Sequence, residues 1–224
     1  MYTNYYEKGE EIIASLPKGK KPTLLMHVCC GPCACFPFTY LCPHFDLTIL
    51  YNNSNIYPEA EYRKRLGEVE KLISYMKRDY GYDIKLIAPP YENGEYMKDL
   101  EPYGAMPEGG ERCWVCYHKR MKQAYDYAEE YGFDYFCTVM TISREKNSQI
   151  LNAIGESLEK EHPPTKYFYS DFKKKEGALK GIQIRKGYDL YYQKYCGCSY
   201  SLEAREKFDE HKRDLENQKQ IVLK

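Results

Sequence analysis

Apolar residues fall into short runs, separated by longer stretches with helical spacing. Residues 23–28 (Thr-Leu-Leu-Met-His-Val) are almost continuously apolar, as a strand covered on both faces requires. Residues 46–51 repeat the pattern and end at Asn52-Asn53-Ser54-Asn55. Residues 83–88 close on Pro89-Pro90, residues 135–140 make a fourth run, and residues 167–169 a short fifth. Between these runs a short helix opens near Pro32 and covers Cys35 to Leu41. A long helix has Pro58 in its first turn, Leu66, Val69, Leu72, Ile73 and Met76 on one face, and Gly81 at its end. Further helices are predicted at 96–100, at 113–131 before Gly132, and at 147–160 before Pro163-Pro164. Beyond residue 171 the chain reads as mostly helical, interrupted at Tyr195-Cys196-Gly197-Cys198 and ending in a charged helix at 202–220. Strands alternating with helices predict an α/β fold, a mainly parallel sheet with helices on both faces. No internal repeat or low-complexity linker divides it. The expectation is one α/β domain over 1–224, with 171–224 as a mainly helical C-terminal extension carrying the Cys-Gly-Cys pair. In such sheets sites form at the carboxyl ends of strands, where Cys29-Cys30 and residues 141–144 fall.

Charge sharpens this picture. Lys plus Arg and Asp plus Glu are both 33, which excludes a globally basic nucleic-acid binder but leaves room for a local basic face. Three basic runs are candidates to grip phosphates: Lys18/Lys20/Lys21, Arg63/Lys64/Arg65 and Lys173-Lys174-Lys175. The plainer reading of each is solvated surface. The N-terminus lacks the apolar core of a signal peptide, and no run reaches the ~20 apolar residues of a membrane span. A cytoplasmic protein without a membrane partner is therefore expected. Cysteines stay reduced there, so ten of them in 224 residues ask for a metal or redox explanation.

The cysteines sort into three groups: Cys29-Cys30 with Cys33, Cys113 with Cys116, and Cys196 with Cys198. Cys35, Cys42 and Cys137 remain and read as core packing. A Cys-x-x-Cys pair at a helix start converges two sulfurs, and the helix terminus favours their thiolate charge. Adjacent cysteines at a Gly-Pro turn crowd a single zinc ion, whereas a cubane offers separate irons. Cys29, Cys30, Cys113 and Cys116 are thus candidate ligands of one 4Fe-4S cluster, with a structural four-thiolate zinc site as the alternative. Cys196-Gly197-Cys198 reads as a strained, easily reduced disulfide or a chelating pair.

Several ordered motifs go further. His27-Val28-Cys29-Cys30-Gly31-Pro32-Cys33 is followed by Tyr51-Asn52, Asn55-Ile56 and Glu61-Tyr62. Gly110-Glu111-Arg112-Cys113 comes next, with Cys116 and Arg120. Thr141-Ile142-Ser143, Lys146-Asn147 and residues 170–174 precede Tyr188, Tyr191, Gln193, residues 195–198 and Tyr200-Ser201. Together they resemble the cobalamin-independent epoxyqueuosine reductase family (the QueH type) from about residue 22 to 204. Asn53-Ser54 and Tyr192 depart from the family's usual pattern, which commonly has arginine at the latter position. The resemblance implies an ATP-pyrophosphatase-like (HUP/Rossmann-like) α/β fold. It implies reduction of epoxyqueuosine to queuosine at the wobble base of tRNA, with cluster ligands Cys29, Cys30, Cys113 and Cys116. It also implies that Cys196 and Cys198 are the catalytic pair, as a redox-active disulfide or as ligands of a second iron, with Cys33 as a possible third ligand.

Removing the epoxide oxygen takes two electrons and two protons, so an outside donor such as ferredoxin or flavodoxin is expected. Asp171, Tyr195 and His27 are candidate proton donors, with helix capping by Asp171 and a satisfied core histidine as plainer readings. Two other functions compete: an adenylylsulfate reductase-like iron–sulfur enzyme, and a zinc-stabilised tRNA-binding module without catalysis. The first is weakened because Cys29-Cys30-Gly31-Pro32 stands where a nucleotide-binding loop would be.

Overall fold

The computed structural model describes residues 2–222; Met1, Leu223 and Lys224, the ends of the expected domain and extension, lie outside the described residues. Five strands, β1 (Thr23–His27), β2 (Asp46–Leu50), β3 (Lys85–Ile87), β4 (Tyr135–Thr138) and β5 (Lys166–Tyr167), form one sheet in the order β3-β2-β1-β4-β5. Every pairing is parallel, with Leu25 opposite both Thr48 and Phe136. The expected parallel α/β architecture is present. The chain runs outward from β1 through β2 to β3, then crosses to the other side of β1. That reversal opens a crevice between the carboxyl ends of β1 and β4, where doubly wound sheets place their ligands.

Alternation along β1 builds two cores. Leu24, Met26 and Val28 pack with α2 (Gly31–Leu41) and α3 (Glu59–Tyr80); Leu25 packs with α5 (Glu111–Glu130) and α6 (Ser148–Glu161). Leu24, Leu25 and Met26 are all fully buried, so β1 carries the apolar surface that holds both layers on the sheet. α3 ends where the sequence predicts, at Gly81 in the left-handed conformation. Asn147 caps α6, its side-chain oxygen accepting from the Gln149 amide at 2.8 Å.

Some boundaries move. β4 stops at Thr138, because the Thr138 hydroxyl accepts from Met140 N and starts a tight 3-10 turn over Val139–Ile142. β5 lies one residue early, while Phe168 N still bonds to Phe136 O. Asp171 caps no helix at 172–175: that stretch is a turn, and α7 begins only at Gly177 and runs to Gly187. An unanticipated helix, α1 (Tyr5–Ser15), is capped by Asn4 and packs through Tyr5 onto the Tyr169 ring. Its apolar face is short, which is why the hydrophobic pattern passed over it. The short α4 (Asn93–Lys98) and the long α8 (Ser199–Val222) complete the elements. Among the described residues no helix is long and apolar enough to cross a membrane.

Candidate thiol-lined metal centre

The polypeptide turns sharply from β1 into α2. Cys30, in extended conformation, is the residue before the helix; Gly31 and Pro32 open it and Cys33 completes the first turn. A side chain at position 31 would come within 2.7 Å of the Glu68 carbonyl on α3, so glycine is what lets the two helices close behind the thiols. The result is a triad: the sulfurs of Cys29, Cys30 and Cys33 all lie within 4.8 Å of one another. The Cys30 and Cys33 sulfurs are 2.6 Å apart, and the Gln193 amide donates to Cys30 Sγ at 3.0 Å. Hydrogen bonds from Cys30 and Cys33 hold the Cys29 thiol well below the ordinary cysteine value, while burial pushes Cys30 up.

The second pair is built the same way. Gly110 precedes α5, placing Cys113 and Cys116 on its first turns. Gly109 N donates to Cys113 Sγ at 3.2 Å, and the Tyr96 hydroxyl lies 3.4 Å from Cys116 Sγ. The third pair sits on a turn before α8. Gly197 has φ +142°, and a side chain there would press on Arg65 Nη1 at 3.2 Å and Ile56 at 3.1 Å. Arg65, 1% exposed and paired with Glu61 at 2.7 Å, donates to the carbonyls of Cys196 at 2.8 Å and Tyr195 at 3.2 Å. α3 therefore fixes where the Cys-Gly-Cys turn sits. Cys198 approaches the Ser201 hydroxyl at 3.5 Å.

Two adjoining cavities connect these groups. A small inner one, about 20 Å³, is bordered by Cys113, Cys116, Cys196 and Cys198. An open one, about 540 Å³, is bordered by Cys29, Cys33, Cys196, Lys146, Gln193 and Tyr195 among others. Cys196, Glu108 and Ser201 belong to both walls. The three cysteine groups thus lie around two adjoining cavities at the carboxyl end of the sheet, and among the described residues only Cys29, Cys30 and Cys33 bring their sulfurs within 4.8 Å of one another. Cys35, Cys42 and Cys137 are buried elsewhere in the core, as expected of packing thiols.

Behind the thiols lies a charge without a partner. Arg120 is 2% exposed, and its Nε and Nη2 have no hydrogen-bond acceptor among the described residues. Burial disfavours its charge, yet Cys116 and Tyr96 hold its guanidinium above the ordinary value. An orphaned buried cation beside a set of thiols fits an anionic thiolate-ligated cluster, which would compensate it.

The candidate acids separate. His27 is fully buried between the Thr138 hydroxyl at 2.8 Å and Asn53 Oδ1 at 3.3 Å. Burial, then the nearby Arg120, depress it to about 3, so it is neutral and supports the core. Asp171 receives the Ser148 hydroxyl at 3.0 Å and pairs with Lys173 at 3.3 Å, away from both cavities. Tyr195 borders the open cavity, but its hydroxyl donates to the Tyr57 carbonyl.

Within the basic runs, one cation of each is occupied inside the protein. Lys21 bonds to the Cys42 carbonyl at the amino end of the sheet, and Arg65 and Lys173 spend their donors on backbone carbonyls. The cations with solvent access at the open cavity are instead the exposed Lys194 and the half-buried Arg205, beside Tyr192, which is 63% exposed. Charge clustering in the sequence gave no sign of Lys194, Arg205 or the free Lys146. Cys30-Gly31-Pro32-Cys33 is itself a Cys-x-x-Cys at a helix start, a signal that places Cys33 with its neighbours.

A parallel α/β fold with a thiol triad able to hold a metal at its topological switch point defines the class to which the chain is compared. Comparison with known proteins makes this particular. The family model described as epoxyqueuosine reductase QueH matches residues 24–204. The chain is 39% identical to the epoxyqueuosine reductase QueH of Streptococcus pyogenes serotype M1 over 181 residues, 81% of this chain and 71% of the relative. It is 33% identical to that of Staphylococcus epidermidis, covering 88% of this chain and 84% of the relative. With that of Thermotoga maritima it shares 30%, covering 84% and 95%. Among solved structures, the U34-tRNA thiolase NcsA from Methanococcus maripaludis with its 4Fe-4S cluster aligns at a TM-score of 0.45 and 15% identity, over 95% of this chain and 73% of that one. The chain belongs to the epoxyqueuosine reductase QueH family.

Proposed function

We propose that this protein is an oxidoreductase that removes the epoxide oxygen of epoxyqueuosine at the wobble position of tRNA, leaving queuosine. The observation that carries this reading is that the three cysteine groups lie around two adjoining cavities, inside the span that matches the reductase family. The chemistry balances as one epoxide, two electrons and two protons giving one alkene and one water.

Cys29, Cys30, Cys113 and Cys116 would hold a 4Fe-4S cluster. Cys196 and Cys198, with Cys33, would form the second redox or iron site. Cys33 and Cys196 both border the open cavity, which favours placing that second site toward the substrate. A cluster bound here supplies electrons one at a time, and an iron beside it supplies a Lewis acid. The protein contributes position: α3 holds the Cys-Gly-Cys turn through Arg65, and the first turns of α2 and α5 aim their sulfurs inward. Tyr192 would stack on an unpaired anticodon base and Lys194 and Arg205 would meet phosphates. The chain would act as one domain, with residues 171–222 closing the site. It would work in the cytoplasm with a ferredoxin or flavodoxin as donor.

The test is anaerobic incubation of cluster-loaded protein with epoxyqueuosine-tRNA and a strong reductant, followed by nucleoside mass analysis. The expected product has lost one oxygen; an unchanged nucleoside beside a fully loaded protein would overturn the reading.

A further inference from the structure

Two cations lie close to the site thiols, and they face different ways. Arg120 is buried behind the sulfurs and borders neither cavity. Lys146 borders the open cavity together with Cys29, Cys33 and Cys196. Of the other cations on that wall, Lys194 is exposed and Arg205 is paired with Asp209 at 2.7 Å. The Lys146 ammonium has no hydrogen-bond or ion-pair partner among the described residues, although its side chain is partly buried.

Its backbone, in contrast, is pinned. Lys173 Nζ reaches into the loop after β4 and donates to the carbonyls of Thr141 at 2.7 Å, Ser143 at 3.4 Å and Lys146 at 3.5 Å. Asp171 holds Lys173 in place and also takes the hydroxyl of Ser148, the first residue of α6. The loop is therefore tied on both sides of Lys146. A solvated surface lysine needs no such fixing. A lysine that must present its charge at one point in a cavity does.

We propose that Lys146 is a catalytic residue that donates a hydrogen bond to the epoxide oxygen and carries the charge developing there as the C–O bonds break. The proposal rests on the reductase reading above. Two electrons from the external reductant enter, both C–O bonds break, and the two carbons form the alkene. The oxygen leaves as water with two protons drawn from solvent.

The experiment compares wild type, Lys146→Met and Lys146→Arg, each prepared anaerobically. Iron and sulfide content, affinity for an epoxyqueuosine anticodon stem-loop, and kcat and KM with dithionite are measured. Iron, sulfide and affinity should match wild type within about threefold, while kcat of Lys146→Met falls about 10²–10³-fold, the usual cost of one oxyanion donor. Lys146→Arg should recover at least about tenfold of that loss, since it keeps the charge. A cluster-loaded Lys146→Met enzyme with kcat near wild type overturns the proposal, as does a rise in KM alone, which would mark a phosphate contact. If Lys146→Met loses the cluster, Lys146→Gln is the second uncharged variant; cluster loss in both would make Lys146 a counter-charge and not a catalytic residue. An inactive, cluster-loaded wild type removes the reductase reading and this proposal with it. An active wild type beside an active Lys146→Met removes the proposal alone.

Discussion

The same residue type lives in two regions of this molecule among different neighbours. Cys35, Cys42 and Cys137 are buried in the cores, and burial is the leading cause that pushes each thiol up, Cys35 and Cys42 to about 12. At the carboxyl end of the sheet burial also pushes Cys30, Cys113 and Cys198 up, but the half-buried Cys29 thiol is held down by hydrogen bonds from Cys30 and Cys33, with Lys146 helping. Burial alone therefore makes a packing thiol. Donors and neighbouring sulfurs give Cys29 the thiolate character that the proposed ligand role needs. The difference lies in what surrounds the sulfur.

The largest effect should come from removing a ligand. Cys113→Ala is expected to reduce iron, sulfide and turnover to background, whereas Cys137→Ala should leave all three unchanged and cost about 1 kcal/mol in denaturant melts. Equal metal loss in both would erase the distinction between the two regions. Next is Cys196→Ala, which should keep the cluster spectrum and iron content but lose epoxide reduction; an active Cys196→Ala enzyme would take the Cys-Gly-Cys pair out of the chemistry.

Arg65 probes the scaffold beneath that pair. Arg65→Met leaves two carbonyls without their donor and Glu61 with only the Tyr191 hydroxyl, so unfolding should become easier by about 3 kcal/mol. Turnover should fall with it. A fully stable Arg65→Met protein would mean that the Cys196 turn is held by other contacts.

Much of this was legible in the sequence, and for definable reasons. Residues 23–28 announced a central strand because parallel strands are apolar on both faces. Gly81 announced the end of α3 because glycine adopts the left-handed cap freely. The spacing of Cys113 and Cys116 announced a chelate. The run Arg63-Lys64-Arg65 was opaque: three adjacent cations look alike, yet only Arg65 points inward to bind the Tyr195 and Cys196 carbonyls across 130 residues of sequence. Arg120 and Lys146 stood in the sequence only as motif residues; that their side chains lack a partner shows only in three dimensions. The triad including Cys33 was half visible, since its Cys-x-x-Cys spacing was plain but its closure on Cys29 needed the turn at Gly31-Pro32.

The smallest predicted effect belongs to the packing thiols. Raised folded values mean that the unfolded chain releases those protons first. The stability they confer is complete below about pH 9, where free thiols ionise, and is lost as pH rises toward about 12. Metal-free protein should therefore lose stability on alkaline titration, and Cys42→Ala should flatten that slope. An unchanged slope would show that the core thiols do not report their burial.

Four of the seven thiols at the switch point, Cys29, Cys30, Cys113 and Cys116, are proposed to hold an iron–sulfur cluster. Metal and acid-labile sulfide analysis of anaerobically purified protein tests this most directly. Iron together with inorganic sulfide is the predicted result; zinc without sulfide would contradict it.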